Sequence, residues 1–262
     1  MQWLRQLAQD AALRRSQSLC VLVGERLIND WLGQGARLSH LFIPSAWLKK
    51  PASANSFEQW QKLWASSIDS TQSPICFLLD GSLAEGVPGI GAEQVPAALA
   101  YFSEHESLPR GVIDFDWLYL DGIQDPGNLG TVLRSAAAFG IRCCIPGPGC
   151  ADLWSPKTLR AAMGAHQRMT IYAAYRFDTV IESLVGPVRA ADARGQSAQL
   201  ADLRIPGLWV LGAEGRGLSE DVKQHPDVSL LAIPMQSETE SLNAAVAQSI
   251  LFYEQYRQRE CF

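Results

Sequence analysis

The residues best placed for chemistry lie in three polar loops. Residues 211–218 read LGAEGRGL, with glycines at 212, 215 and 217 around Glu214. Glycine lets backbone approach a ligand closely and takes up positive φ without strain. Residues 231–254 read LAIPMQSETESLNAAVAQSILFYE. They pass from an apolar run through a polar loop into a stretch with Leu242, Ala245, Val246, Ile250 and Tyr253 at helical spacing. Ser241 stands where a cap takes up an orphan backbone N–H, and the small residues of the AAVA run at 244–247 leave room for close approach. Residues 121–140, DGIQDPGNLGTVLRSAAAFG, make a turn by composition at 125–128 and then a helix. Asn128 stands at its cap position, and Arg134 lies off the face formed by Leu129, Leu133, Ala136, Ala137 and Gly140. The chemistry on offer is the holding of a ligand by main-chain groups, with amide, guanidinium, carboxylate and hydroxyl groups at the margin. Taken singly, each loop is equally an ordinary strand–helix connection. The pattern G-x-x-G-x-G is also not the dinucleotide fingerprint G-x-G-x-x-G.

The elements that carry these loops alternate. In the second half, strands are expected at 117–120, 142–144, 169–173, 188–191, 208–211 and 230–233. Helices are expected at 129–139, 156–164, 178–184, 218–222 and 242–257. Alternation of this kind predicts a parallel sheet with helices on both faces, whose ligands bind beyond the carboxyl ends of the strands. Each polar loop follows a strand of that sheet, so all three can converge at one edge. The first half reads as a smaller α/β unit. It has an amphipathic helix over 1–15, strands at 20–23, 41–44 and 75–79, and helices from 27, over 57–64 and over 92–102. Residues 50–56 (KPASANS) read as a surface loop and 81–91 as irregular. The polar segment SEHESLPR, 103–110, marks the boundary, giving domains 1–107 and 108–262.

At 47% apolar and 19% charged residues over 262 positions, the chain has ample core. No run approaches the roughly 20 apolar residues of a membrane span, and the N-terminal sequence lacks signal-peptide order, so a cytoplasmic protein is expected. Six cysteines without C-x-x-C spacing and four scattered histidines give no metal site. The net charge of −5 argues against a generic nucleic-acid binder. Locally, residues 153–177 carry Lys157, Arg160, Arg168 and Arg176 with no acid. Such a patch can meet phosphates or be a solvated helix face.

Together, DPGNLGTVLRSAAAFG, LGAEGRGL and IPM…ESLNAAVA resemble, in order, spacing and strand context, the three motifs of the SpoU (TrmH-type) RNA ribose 2′-O-methyltransferases, a branch of the SPOUT superfamily. SPKTLRAAMGA, 155–165, is similar to the helix between the family's first two motifs. The resemblance covers about 112–256. VLVGERLINDWL, 21–32, more loosely resembles the start of the ribosomal-protein-like substrate-binding domain of many members.

The resemblance implies a methyltransferase domain with a C-terminal trefoil knot, working as a homodimer without metal, with Ile250, Leu251 and Phe252 as interface candidates. It implies S-adenosylmethionine held by Leu211, Gly212, Ile233, Met235, Leu242 and Asn243. It implies methyl transfer to a ribose 2′-hydroxyl, with Arg134, Asn128, Glu214, Ser241 and Asn243 as catalytic residues. RNA would meet Arg14, Arg15, Lys157, Arg160 and Arg168, and ribosomal RNA is favoured over tRNA as substrate. Ser237 departs from the family, which usually has glycine two residues after the methionine, and the acidic total departs from an RNA binder. A non-catalytic RNA-binding homologue is the alternative those departures suit. A nucleotide-binding oxidoreductase is disfavoured because no dinucleotide fingerprint follows a strand.

Overall fold

The computed structural model describes residues 2–65, 73–80, 95–236 and 242–260. They divide into two compact units, Met1–Ser103 with Asp152–Gln167, and Glu104–Ala151 with Arg168–Phe262. The segment expected to be irregular at 81–91 lies outside the described residues.

In the first unit, helices α1 (Gln2–Gln9) and α2 (Ala11–Gln17) lead into strand β1 (Leu19–Val23). Helix α3 (Glu25–Gly33), strand β2 (Leu38–Pro44), helices α4 (Ser45–Leu48) and α5 (Pro51–Ala65), and strands β3 (Ile75–Leu79) and β4 (Ala97–Tyr101) follow. The sheet runs β1-β4-β2-β3, with β4 antiparallel to both neighbours. Three expectations are corrected here. The single N-terminal helix is two, because the Asp10 carboxylate accepts from Leu13 N and starts a second helix. KPASANS opens α5 instead of looping. Pro51 at the first position has φ already set and lacks an N–H that would have gone unpaired, and Trp60 further on stacks against Trp47. Ala97–Tyr101 is a strand, not the end of a helix. Its alanines are fully buried between β1 and β2, and that pairing overrides their helical propensity.

The second unit opens with β5 (Gly111–Val112), which pairs outside the main sheet, and β6 (Trp117–Asp121), which lies inside it. Then come α6 (Pro126–Ala138) and β7 (Cys143–Pro146). Helix α7 (Pro156–Ala162) belongs to the first unit, where it packs near β1. The second unit resumes with β8 (Thr170–Ile171), α8 (Phe177–Ser183), β9 (Leu184–Val185, partner of β5), β10 (Val188–Ser197), β11 (Leu208–Gly212), α9 (Glu220–Lys223), β12 (Val228–Ala232) and α10 (Ala244–Glu260). Its six-stranded sheet, β12-β10-β11-β6-β7-β8, is parallel throughout, as expected. Its strands are mostly buried on both faces, which is why they read as unbroken apolar runs.

A buried polar network seats α10 on this sheet. Asp116, 2% exposed, accepts from Gly207 N at 3.0 Å, from Gln255 Nε2 at 2.6 Å and from the Arg259 guanidinium. Gln255 accepts in turn from the Trp209 indole. The helix therefore buries Ala245, Gln248, Leu251, Phe252 and Gln255. Of its expected apolar face, Ala245 is buried, whereas Val246, Ile250 and Tyr253 are exposed.

Candidate functional site

Register sets the site. β11 lies beside β6 with Gly212 opposite Asp121, so the second loop leaves the sheet next to the first. The Asp121 carboxylate accepts from Ser219 N at 2.5 Å and fastens the base of the 213–218 turn. Within that turn Ala213 N donates to Gly217 O at 3.1 Å and Gly217 N to Ala213 O at 2.8 Å. Gly215 and Gly217 have φ of +78° and +70°, the left-handed region only glycine enters freely. Gly212 is required for another reason. A Cβ there would run into the backbone of Gly217 and Leu218.

Beyond these strand ends lies a cavity of about 460 Å³, within the roughly 300–1,000 Å³ of small-molecule sites. Leu211 to Gly215 and Gly217 form one wall. Ile233 and Met235, then Leu242, Asn243, Ala244, Ala247 and Leu251, form another. All six residues expected to hold a cofactor line it: Leu211, Gly212, Ile233, Met235, Leu242 and Asn243. The small residues at 244 and 247 face it, while Ala245 packs inward.

Asn243 joins the two walls. Its side-chain oxygen accepts from Ala245 N at 3.0 Å and Val246 N at 3.2 Å, capping α10. Its amide nitrogen donates to the Glu214 carboxylate. The cap expected of Ser241 is thus made by Asn243, and Ser237 and Ser241 lie outside the described residues. The first loop is corrected likewise. Asp125 caps α6 by accepting from Asn128 N at 2.8 Å, so Asn128 sits inside the first turn. Arg134 is exposed on α6 and has no hydrogen bond or ion pair among the described residues. Neither Asn128 nor Arg134 lines the cavity. What ties their helix to the third loop is packing on α10, with the Ser249 hydroxyl 2.7 Å from that of Ser135.

Of the five residues expected to meet RNA, Arg15, Lys157, Arg160 and Arg168 are exposed. Arg14 is not. It is 2% exposed and gives its guanidinium to Asp152 and to Leu7 O, so it holds the first unit together. Leu251 and Phe252, expected at an interface, are likewise 1% exposed in the core. Ile250 remains outside and lines an apolar recess of about 300 Å³ with Thr131, Phe139, Val246 and Tyr253.

Sequence reasoning missed Ala191, Asp192 and Ala193, which form a third wall of the cavity. The expected strand stopped at Ala191. In the structure β10 leaves its register there and rejoins at Gln196, both residues pairing with Leu231. The Asp–x–Arg–Gly sequence at this excursion was the available signal. The cavity has the walls S-adenosylmethionine needs. Apolar side chains and main-chain edges suit an adenine, and carboxylates suit a cation.

Residues 117–253 match the SpoU rRNA methylase family. Over 98% of its length the chain is 31% identical to an uncharacterized tRNA/rRNA methyltransferase of Synechocystis, covering 90% of that protein. It is 30% identical to the 23S rRNA (guanosine(2553)-2′-O)-methyltransferase RlmP of Bacillus subtilis over 68% of this chain and 71% of that one. Its fold is similar to that of the AdoMet-bound rRNA methyltransferase of Sinorhizobium meliloti, with a TM-score of 0.80, 21% identity and coverage of 100% and 95% of the two chains.

Proposed function

The chain belongs to the SpoU rRNA methylase family, and we propose from its site that it moves a methyl group from S-adenosylmethionine to a ribose 2′-hydroxyl of structured RNA. The observation that carries this reading is the cavity walled by the main chain of the second and third loops and tied across by Asn243 and Glu214. Ribosomal RNA is the favoured substrate, since RlmP acts on 23S rRNA. The bound donor supplies an electrophilic methyl already activated by its sulfonium. The protein's task is then to aim the hydroxyl and ease loss of its proton. The Arg134 guanidinium, without a partner among the described residues, would clamp a phosphate beside the target and lower the hydroxyl's pKa. A guanidinium keeps its proton in a protein, which excludes it as a simple base. Asn128 would orient the ribose or the arginine. Glu214, Asn243 and Ser241 would fix the loops, which the family's knot holds in place.

The first unit would carry the RNA, through Arg15, Lys157 and Arg160, with Arg168 contributing from the second. Residues 1–103 with 152–167 hold ten Lys and Arg against nine Asp and Glu. The rest of the chain holds twelve against eighteen. The net acidity thus sits in the second unit. A homodimer through the Val246–Ile250–Tyr253 face of α10 would cover its exposed apolar recess. A cytoplasmic location goes with the substrate.

The test is transfer of labelled methyl from S-adenosylmethionine to ribosomal RNA and to tRNA, with the modified nucleotide mapped by mass spectrometry. Wild type should label ribosomal RNA. Arg134→Ala should lose at least about a hundredfold in turnover, a typical loss for one transition-state donor, with donor affinity kept. Donor binding without transfer to any RNA would overturn the proposal.

A further inference from the structure

The cavity described above has two carboxylates, Asp192 and Glu214, in its walls. Among the described residues it has no lysine, arginine or histidine there. We propose that Asp192 makes this pocket select the cationic methyl donor over the thioether product, which lacks the sulfonium charge. The proposal rests on S-adenosylmethionine being the ligand. Transfer breaks the bond from sulfur to methyl, whose electron pair stays on sulfur, and forms one from the ribose oxygen to methyl as the hydroxyl's proton passes to water. Donor and product thus differ by one methyl and one positive charge. The donor carries sulfonium, ammonium and carboxylate groups, for a net charge of +1, whereas the product keeps only the ammonium and the carboxylate, for a net charge of zero.

Asp192 suits the role better than Glu214 does. The Asp192 side chain is 11% exposed, whereas Glu214 lies exposed at the turn, where water and salt screen it. Asp192 is also fixed in place. Arg194 forks onto it, Nε to Oδ1 at 3.1 Å and Nη2 to Oδ2 at 3.2 Å, and Arg194 N donates to Oδ1 at 2.9 Å. These bonds hold its carboxyl below the usual range, so it stays ionised. Arg194 itself is 73% exposed and is not a wall of the cavity. Gly195 lets the excursion lie close on β12, where a Cβ would enter the backbone of Leu230 and Leu231. At a dielectric between those of a protein surface and water, and with Arg194 offsetting part of its charge, a carboxylate in the cavity wall shifts the binding of a cation by roughly three- to tenfold. The product, lacking the charge, would leave more readily than the donor.

The competing role for Asp192 is a staple that only shapes the excursion at 192–195. Calorimetric titration separates the two, using S-adenosylmethionine, S-adenosylhomocysteine and sinefungin, which bears an ammonium where the donor bears its sulfonium. Asp192→Asn should weaken the donor and sinefungin about three- to tenfold and leave S-adenosylhomocysteine within twofold. Arg194→Ala should act the opposite way, unmasking the carboxylate and tightening both cationic ligands. If the two variants instead weaken all three ligands alike, Asp192 is a staple and the proposal falls. Wild type that binds none of the three would overturn both this proposal and the methyltransferase reading beneath it.

Discussion

Replacing Asn243 separates the mechanical from the chemical part of the site. Asn243→Ala removes the acceptor of two backbone N–H groups at the start of a 17-residue helix. Loss of such a cap costs about 0.5–2 kcal/mol. It also strips Glu214 of its amide partner, which adds little because both groups are exposed. At about 2–4 °C per kcal/mol for a unit this size, melting should fall by about 1–8 °C, and by about 2–4 °C for a typical cap of about 1 kcal/mol. Asn243→Asp keeps the cap, because Asp serves there as well as Asn and its charge suits a helix N-terminus. It sets one carboxylate against another, however, so the Glu214 link between the walls is lost. Scanning calorimetry without ligand should therefore show Asn243→Asp within about 1 °C of wild type and Asn243→Ala well below it. Titration with S-adenosylmethionine should show both variants weakened. Equal melting of all three proteins would refute the capping argument, and undiminished donor affinity in Asn243→Asp would refute the link across the cavity.

Gly212→Ala should cost the upper part of the about 1–3 kcal/mol typical of overpacking and abolish donor binding, since the obstructing atoms are backbone; urea denaturation and titration check both. Gly164, at φ +75° against the Asp30 carboxylate, should lose at least about 1–2 kcal/mol on change to Ala, read by the same denaturation. Burial holds His166 down at about 4 against 6.5 when unfolded, so below pH 6.5 the unfolded chain takes up a proton that the folded one refuses. Its contribution to stability should be whole at pH 7 and reduced by about 2 kcal/mol at pH 5, and the reduction should vanish in His166→Gln, as denaturation at the two pH values would show. Ile250→Asp with Tyr253→Asp should halve the sedimenting mass if α10 forms the dimer face, and an unchanged mass would place the interface elsewhere.

The sequence by itself determined the parallel sheet, because strands buried on both faces must be written as apolar runs. It also determined the second and third loops as walls of one cavity, because glycines and small residues leave their mark wherever backbone closes on a ligand. Side chains whose meaning comes from a distant partner were decided by tertiary structure alone. Arg14 reads as surface charge until Asp152 arrives from 138 residues away to bury it. Gln255, a polar residue within the expected last helix, is buried where Trp209 and Asp116 bond it, while Val246, Ile250 and Tyr253 of the same helix stay exposed. The AALAY run reads as helix until two neighbouring strands claim its backbone hydrogen bonds. Asp192 gains its place in the cavity only through a break in strand register. Periodicity and composition record what a residue does for its own element. Partnership across the fold depends on which elements become neighbours, and no local pattern encodes that.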